Sequence, residues 1–126
     1  MISTSSRERA EHVATLAADR KASDITVLEL ADVSSVTDYF VICSGRSLVH
    51  VQAIAENIAD GLRSEGERPI SREGVTNGQW VLLDYGDLVV HVFQPDTRRL
   101  YDLERLWSRA PRWTLEDRSA IESDHP

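Results

Sequence analysis

The stretch Gln79–Phe93, QWVLLDYGDLVVHVF, restricts the fold more than any other part of the chain. Two apolar runs flank a central Tyr85-Gly86-Asp87. A two-residue turn at Gly86-Asp87, with glycine first, suits a hairpin whose first turn residue needs positive φ. Side chains alternate along a strand, so the turn settles both faces at once. One face pairs Tyr85 with Leu88, Leu83 with Val90 and Val81 with Val92. It is apolar apart from one phenol hydroxyl, and it is expected to be core. The other face pairs Trp80 with Phe93, Leu82 with His91 and Asp84 with Val89, and it is mixed. Two readings of it compete. A terminal helix covers it, leaving Asp84 and His91 as a polar pair at the margin. Alternatively it is a recognition surface, with a Trp-centred apolar patch and a polar rim. Both hold if the helix covers one end and a partner the other.

Other segments supply the elements around this hairpin. Residues 6–20 place Ala10, Val13, Ala14 and Ala17 at helical spacing, with Ser5 or Ser6 as cap and Glu8 in the first turn. ITVLEL at 25–30 predicts a strand. YFVIC at 39–43 is continuously apolar, as a strand buried on both faces near the sheet centre would be. After Ser47 as N-cap, Val51, Ile54, Ala55, Ile58 and Leu62 form one helical face, and Gly66 sits where a left-handed C-terminal residue belongs. A short edge strand is expected near Ile70. Pro95 ends the second hairpin strand. Asp96 or Thr97 then caps a last helix with Leu100, Leu103, Leu106 and Trp107 on one side. The fold class is therefore α/β (α+β): a single mixed β-sheet flanked by helices, in the order α-β-β-α-β-β-β-α. The domain spans residues 1–110, and 111–126 read as an aperiodic tail, expected to be disordered.

With 126 residues and 41% hydrophobic content, the chain has material for one real core. Its net charge of -7 argues against a nucleic-acid binder held by phosphate contacts and for steering toward a basic partner. No apolar run approaches the ~20 residues of a spanning helix, and the N-terminus lacks an apolar signal region. A cytoplasmic protein is the simplest expectation, with no membrane partner.

Catalytic motifs are missing. CSGRSLVH at 43–50 lacks the second glycine of an esterase elbow and the lysine of a phosphate loop. It reads as a strand-to-helix turn plus a cap. The histidines His12, His50, His91 and His125 have no zinc-helix spacing. Cys43, alone and at the end of the most buried strand, reads as inert core. Asp84 has no acidic cross-strand partner for a shared metal ion, which counts against a nucleotidyltransferase. No cofactor and no catalytic residue is implied.

Four segments carry a resemblance. They are DITVLELADVSSVTDYFVICSGRSLVHVQAIAENI, the Glu73-Gly74 pair, WVLLDYGDLVVHVF and RRLYDLERLW, together covering roughly residues 24–107. In this order and spacing the chain resembles the ribosomal silencing factor family, also called RsfS or Iojap. The resemblance implies a nucleotidyltransferase-like fold without the paired catalytic carboxylates. It also implies binding to the large ribosomal subunit through its fourteenth protein, with subunit joining blocked and translation repressed in starvation or stationary phase. A homodimer using the same patch is a further implication, and a nucleotide-binding nucleotidyltransferase-like enzyme is the alternative. For the partner contact, the register selects Trp80, Leu82, Asp84 and His91. Tyr101 is added from the last helix, where it points away from the leucine stripe. Trp80 and Leu82 would supply desolvated area, and Asp84 would pair with a Lys or Arg. Arg98 and Arg99 are either rim residues or solvated helix charges. The tail beyond Trp107 is longer than the family's usual end.

Overall fold

The hairpin forms in the expected register. In the computed structural model, which describes residues 5–115, β4 is Trp80–Asp84 and β5 is Leu88–Phe93. Trp80 faces Phe93, Leu82 faces His91 and Asp84 faces Val89. The Tyr85 N–H donates to the Leu88 carbonyl at 2.8 Å, closing the turn. Gly86 takes φ +90°, a region that disfavours any side chain. The Asp84 carboxylate accepts from the Gly86 N–H at 2.8 Å, so the strand's own last residue braces the turn. All six residues of the apolar face are buried in the main core.

That hairpin extends into one mixed sheet. β2 (Tyr39–Ser44) runs parallel to β5, β1 (Ser23–Glu29) antiparallel to β2, and β3 (Ser71–Glu73) antiparallel to β4. With β6 (Arg112–Thr114) the order is β3-β4-β5-β2-β1-β6. β2 therefore lies inside the sheet, and this is why YFVIC can be apolar without alternation.

Two helices cover the apolar face. α1 (Ser6–Ala18) starts with a reciprocal capping box between Ser5 and Glu8. α2 (Leu48–Arg63) is capped by Ser47, whose hydroxyl accepts from the His50 N–H at 3.1 Å. Its predicted stripe Val51, Ile54, Ala55, Ile58 and Leu62 is buried. The small residues of α1 are buried too, and the two helices touch where Leu16 meets Gly61. A Cβ there would lie 2.6 Å from a Leu16 methyl.

Two expectations about the C-terminal part need correction. The last helix is not continuous. α3 (Pro95–Tyr101) begins with Pro95 in its first turn and Gln94 as N-cap, not Asp96 or Thr97. It stops at Asp102, which adopts a left-handed conformation (φ 46°, ψ 57°), and a short α4 (Leu103–Leu106) follows. The leucine stripe is split accordingly. Leu103 and Trp107 pack on the sheet, whereas Leu100 and Leu106 stay 77% and 70% exposed. Secondly, residues 112–114 are not tail. They form β6 on β1, with Thr26, Val27 and Leu28 facing Thr114, Trp113 and Arg112. A three-residue strand has no period to detect, and its partner is some 85 residues away in the chain by rough count. The rest of the expected tail, 116–126, lies outside the described residues.

An ionic cluster joins the helical layer to the hairpin turn. Arg9 donates to both Asp87 oxygens at 2.6 Å and, through Nε, to Glu67 at 3.0 Å. Ser6 also donates to Asp87. Burial alone would raise the Asp87 carboxyl, but the bonds from Ser6 and Arg9 and the Arg9 charge outweigh it and hold it below the usual range. Arg9→Ala leaves two part-buried carboxylates without their cation. It is expected to destabilise the fold by about 2 kcal/mol in urea unfolding, less than for a fully buried pair because Asp87 and Glu67 are partly solvated. The deficit should shrink in acid as Asp87 takes up its proton.

Candidate functional site

The second face of the sheet is divided between core and surface. Across it run Asp84, Val89, Phe40 and Leu28 in one row, and Leu82, His91, Ile42 and Thr26 in the next. Trp80, Phe93 and Ser44 form a third. The α3–α4 segment and its continuation to Ala110 cover the β1–β2 side. Leu28, Leu30, Ile42, Phe93 and Ala110 form a second buried cluster, with Phe40, Trp80, Leu103 and Trp107 packed on it. On the β4 side no such cover is present among the described residues, and Trp80, Leu82 and Asp84 are half-buried.

Trp80 sits at the boundary. Its ring stacks on Phe93 (centroids 4.9 Å apart) and packs against Tyr101 at 4.7 Å. Tyr101 is 53% exposed. The structure thus brings Tyr101 to Trp80, although the broken helix puts it there by a route the periodicity did not suggest. Glu73-Gly74, the short motif before the hairpin, has a steric role at the same place. Gly74 has φ +78°, and a Cβ on it would fall 1.9 Å from the Trp80 carbonyl oxygen. Only glycine lets the loop pass that close to the start of β4.

His91 is not at the rim. It is 3% exposed, enclosed by the rings of Phe40 (4.4 Å), Trp80 (5.9 Å) and Phe93 (6.1 Å). The Trp80 Nε1–H donates to His91 Nδ1 at 3.1 Å. Burial pushes the imidazole pKa down to about 3, so the ring is neutral at ordinary pH. Expecting a rim residue from a polar side chain opposite Leu82 overlooked the aromatic rings on either side. The hydrogen bond itself was latent in the register, because Trp80 is a diagonal neighbour of His91.

A polar cleft lies between α3–α4 and the ends of β1 and β2, lined by Asp24, Thr26, Ser44, Arg98 and Glu104 among others. Arg98 is sunk in it. Its Nε and Nη2 reach Glu104 at 3.0 and 2.9 Å, and its Nη1 donates to Ser44 Oγ at 2.9 Å. Arg98 is therefore neither rim nor solvated charge, and it ties the cover to the sheet. Arg99 pairs with Asp96 on the surface.

Chemistry is poorly served here. Glu104 is neutralised by Arg98. Asp84 faces Val89 on one side and Ser71 on the other, with no second carboxylate across the strand. Among the described residues no group of three or more His, Cys, Asp or Glu could hold a metal ion. The Cys43 thiol is pushed up to about 12 by burial, as an inert core cysteine would be. In CSGRSLVH, Ser47 caps α2. His50 Nδ1 accepts from the Arg46 N–H at 2.8 Å, while its Nε2 contacts the Arg20 carbonyl at 2.7 Å. These residues build a turn, as their sequence suggests.

Comparison with known proteins adds a family to this geometry. The family described as "Ribosomal silencing factor during starvation" matches residues 3–126. A Bacillus subtilis protein named ribosomal silencing factor RsfS is 46% identical over 98 residues, 78% of this chain and 83% of that one. A mouse protein named mitochondrial assembly of ribosomal large subunit protein 1 is 34% identical over 90 residues, 69% of this chain but 40% of the mouse protein. A crystal structure from Chromobacterium violaceum is similar with a TM-score of 0.81 at 32% identity, covering 83% of this chain and 88% of that one.

The neutral His91 has a consequence for stability. In the unfolded chain the imidazole takes a proton near pH 6.5, and in the folded one only near 3. Between these values the unfolded state binds more protons. Stability should be full above the upper value and fall as pH drops through it, with a slope approaching about 1.4 kcal/mol per pH unit. Urea midpoints measured from neutral pH down to about pH 5 should show this loss, and His91→Phe should flatten it.

Proposed function

This chain belongs to the ribosomal silencing factor family, and on that premise we propose that it represses translation by occupying the large ribosomal subunit. In this reading it binds the fourteenth protein of that subunit, on the face that meets the small subunit, and prevents the two from joining during starvation or stationary phase. The observation that carries the reading is the half-covered face at Trp80, Leu82, Asp84 and Tyr101. A patch of this kind, with an aromatic centre and a charged margin, suits a protein partner.

The mechanism is steric and requires no bond to be made or broken. Trp80 and Leu82 contribute the desolvated area. Asp84 spends one lone pair on the Gly86 N–H and keeps others for a Lys or Arg of the partner. The net charge of -7 favours encounter with a basic ribosomal protein and disfavours holding on to RNA phosphates. Support for the large subunit as target also comes from the mouse relative, named for assembly of that subunit. The alternative, a nucleotide-handling enzyme, gains nothing from Asp84 or from the Arg98–Glu104 cleft.

Co-sedimentation decides between them. The chain is expected to pellet with isolated large subunits and not with small ones at moderate salt. Trp80→Ala is expected to weaken that binding by about 2 kcal/mol or more, as a central aromatic anchor does. Unchanged affinity would place the contact on another face. Calorimetric titration with a nucleotide and magnesium is expected to give no heat, and a saturable signal would favour the enzyme.

A further inference from the structure

Trp80 carries one polar atom, the indole Nε1–H. A partner that excludes water from this side chain would leave the donor unpaired unless it brought an acceptor of its own. The protein supplies that acceptor from within. His91 Nδ1 lies 3.1 Å from the indole nitrogen, on a residue only 3% exposed, so solvent does not compete for it. Because an indole nitrogen can only donate, Nδ1 must carry the lone pair and Nε2 the proton.

The arrangement leaves an uncompensated group. His91 Nε2 is buried and has no hydrogen-bond partner among the described residues. The imidazole's neighbours in its row are Leu82 and Ile42, both aliphatic, and Phe40 meets it edge-on at 68°. Packing alone would favour an apolar side chain at this position, since burying an unpaired donor is unfavourable. Among the described residues, the one hydrogen bond made by the ring is that from Trp80.

We propose that His91 is a positioning residue for docking, holding the Trp80 indole in one orientation and occupying its N–H so that Trp80 offers a wholly apolar surface. The inference rests on the docking reading above and deepens it. It assigns the chemistry of the partner at this point: the group that covers Trp80 is aliphatic or aromatic and not a hydrogen-bond acceptor. The charged contact is left to Asp84. Phe93 and Tyr101, packed on the same indole, restrict the ring further. Their contacts have no directional donor, however, so the hydrogen bond is what selects one orientation.

Two measurements test this. The first is made on the free protein. The Trp80 indole N–H, identified in the NMR spectrum by its loss in Trp80→Phe, is expected to exchange slowly with solvent. His91→Phe fills the space without an acceptor and should abolish that protection. His91→Asn, whose side-chain oxygen falls near the position of Nδ1, should restore part of it. An unprotected indole N–H in the wild type would overturn the proposal. The second measurement is binding to isolated large subunits. His91→Phe should weaken it about tenfold, with His91→Asn in between. In a Trp80→Phe background His91→Phe should have no further effect, because the two residues act as one unit. Full additivity, or a folded His91→Phe protein that binds like the wild type, would overturn the proposal. If the wild type fails to bind at all, the docking reading falls. The proposed docking role falls with it, and the exchange measurement still shows whether His91 holds Trp80.

Discussion

Strand alternation in the hairpin is the constraint on which the other elements depend. Five apolar side chains of β4 and β5 share one face with Tyr85 at the turn, so the opposite face must take Trp80, Leu82, Asp84, Val89, His91 and Phe93 whatever their chemistry. Burying the first face requires a helical layer, and α1 and α2 provide it. The second face is too apolar to be left open and too polar to be sealed. The chain resolves this by covering half of it. Phe93 goes under α3–α4, and Trp80 marks the edge of the cover.

The cover is held both by apolar packing and by polar contacts. The left-handed break at Asp102 turns Leu103 and Trp107 inward, and Arg98 reaches from α3 past Glu104 to the hydroxyl of Ser44. On the other side of the sheet Arg9 does similar work between α1 and the hairpin turn. Each guanidinium is largely withdrawn from water with a carboxylate opposite it, and each fixes the distance between two layers. Such ties add little net stability compared with apolar packing, but they exclude alternative arrangements because an unpaired charge there is costly. Binding through a surface of this kind needs the surface to be rigid beforehand, since ordering side chains on contact reduces affinity.

Much of the fold was legible in the sequence. The register of β4 and β5, the buried β2, the α2 stripe, the Ser47 cap and Gly66 all follow from short-range rules of alternation, helical period and turn chemistry. Trp80, Leu82 and Asp84 were legible as one face for the same reason. Two features were hidden because their causes are not local. The break at Asp102 puts a non-glycine residue in a left-handed conformation, which helix propensity disfavours and tertiary packing imposes. β6 exists because β1 offers an open edge to residues that have no pattern of their own.

His91 shows where the line falls. From the sequence alone its face and its cross-strand partner Leu82 could be stated, because pleating and a two-residue turn leave no other choice. Whether that face was wet or dry at His91 could not. Exposure depends on Phe40 from β2, whose ring meets the imidazole, and on Tyr101 and Trp107 packed behind Trp80 and Phe40, groups brought together by burial of surface and not by chain connectivity. The sequence by itself determined which side chains share a side of the sheet, since that is a property of neighbouring dihedral angles. Only the tertiary structure decided which of them meet water, since that depends on where distant segments come to rest.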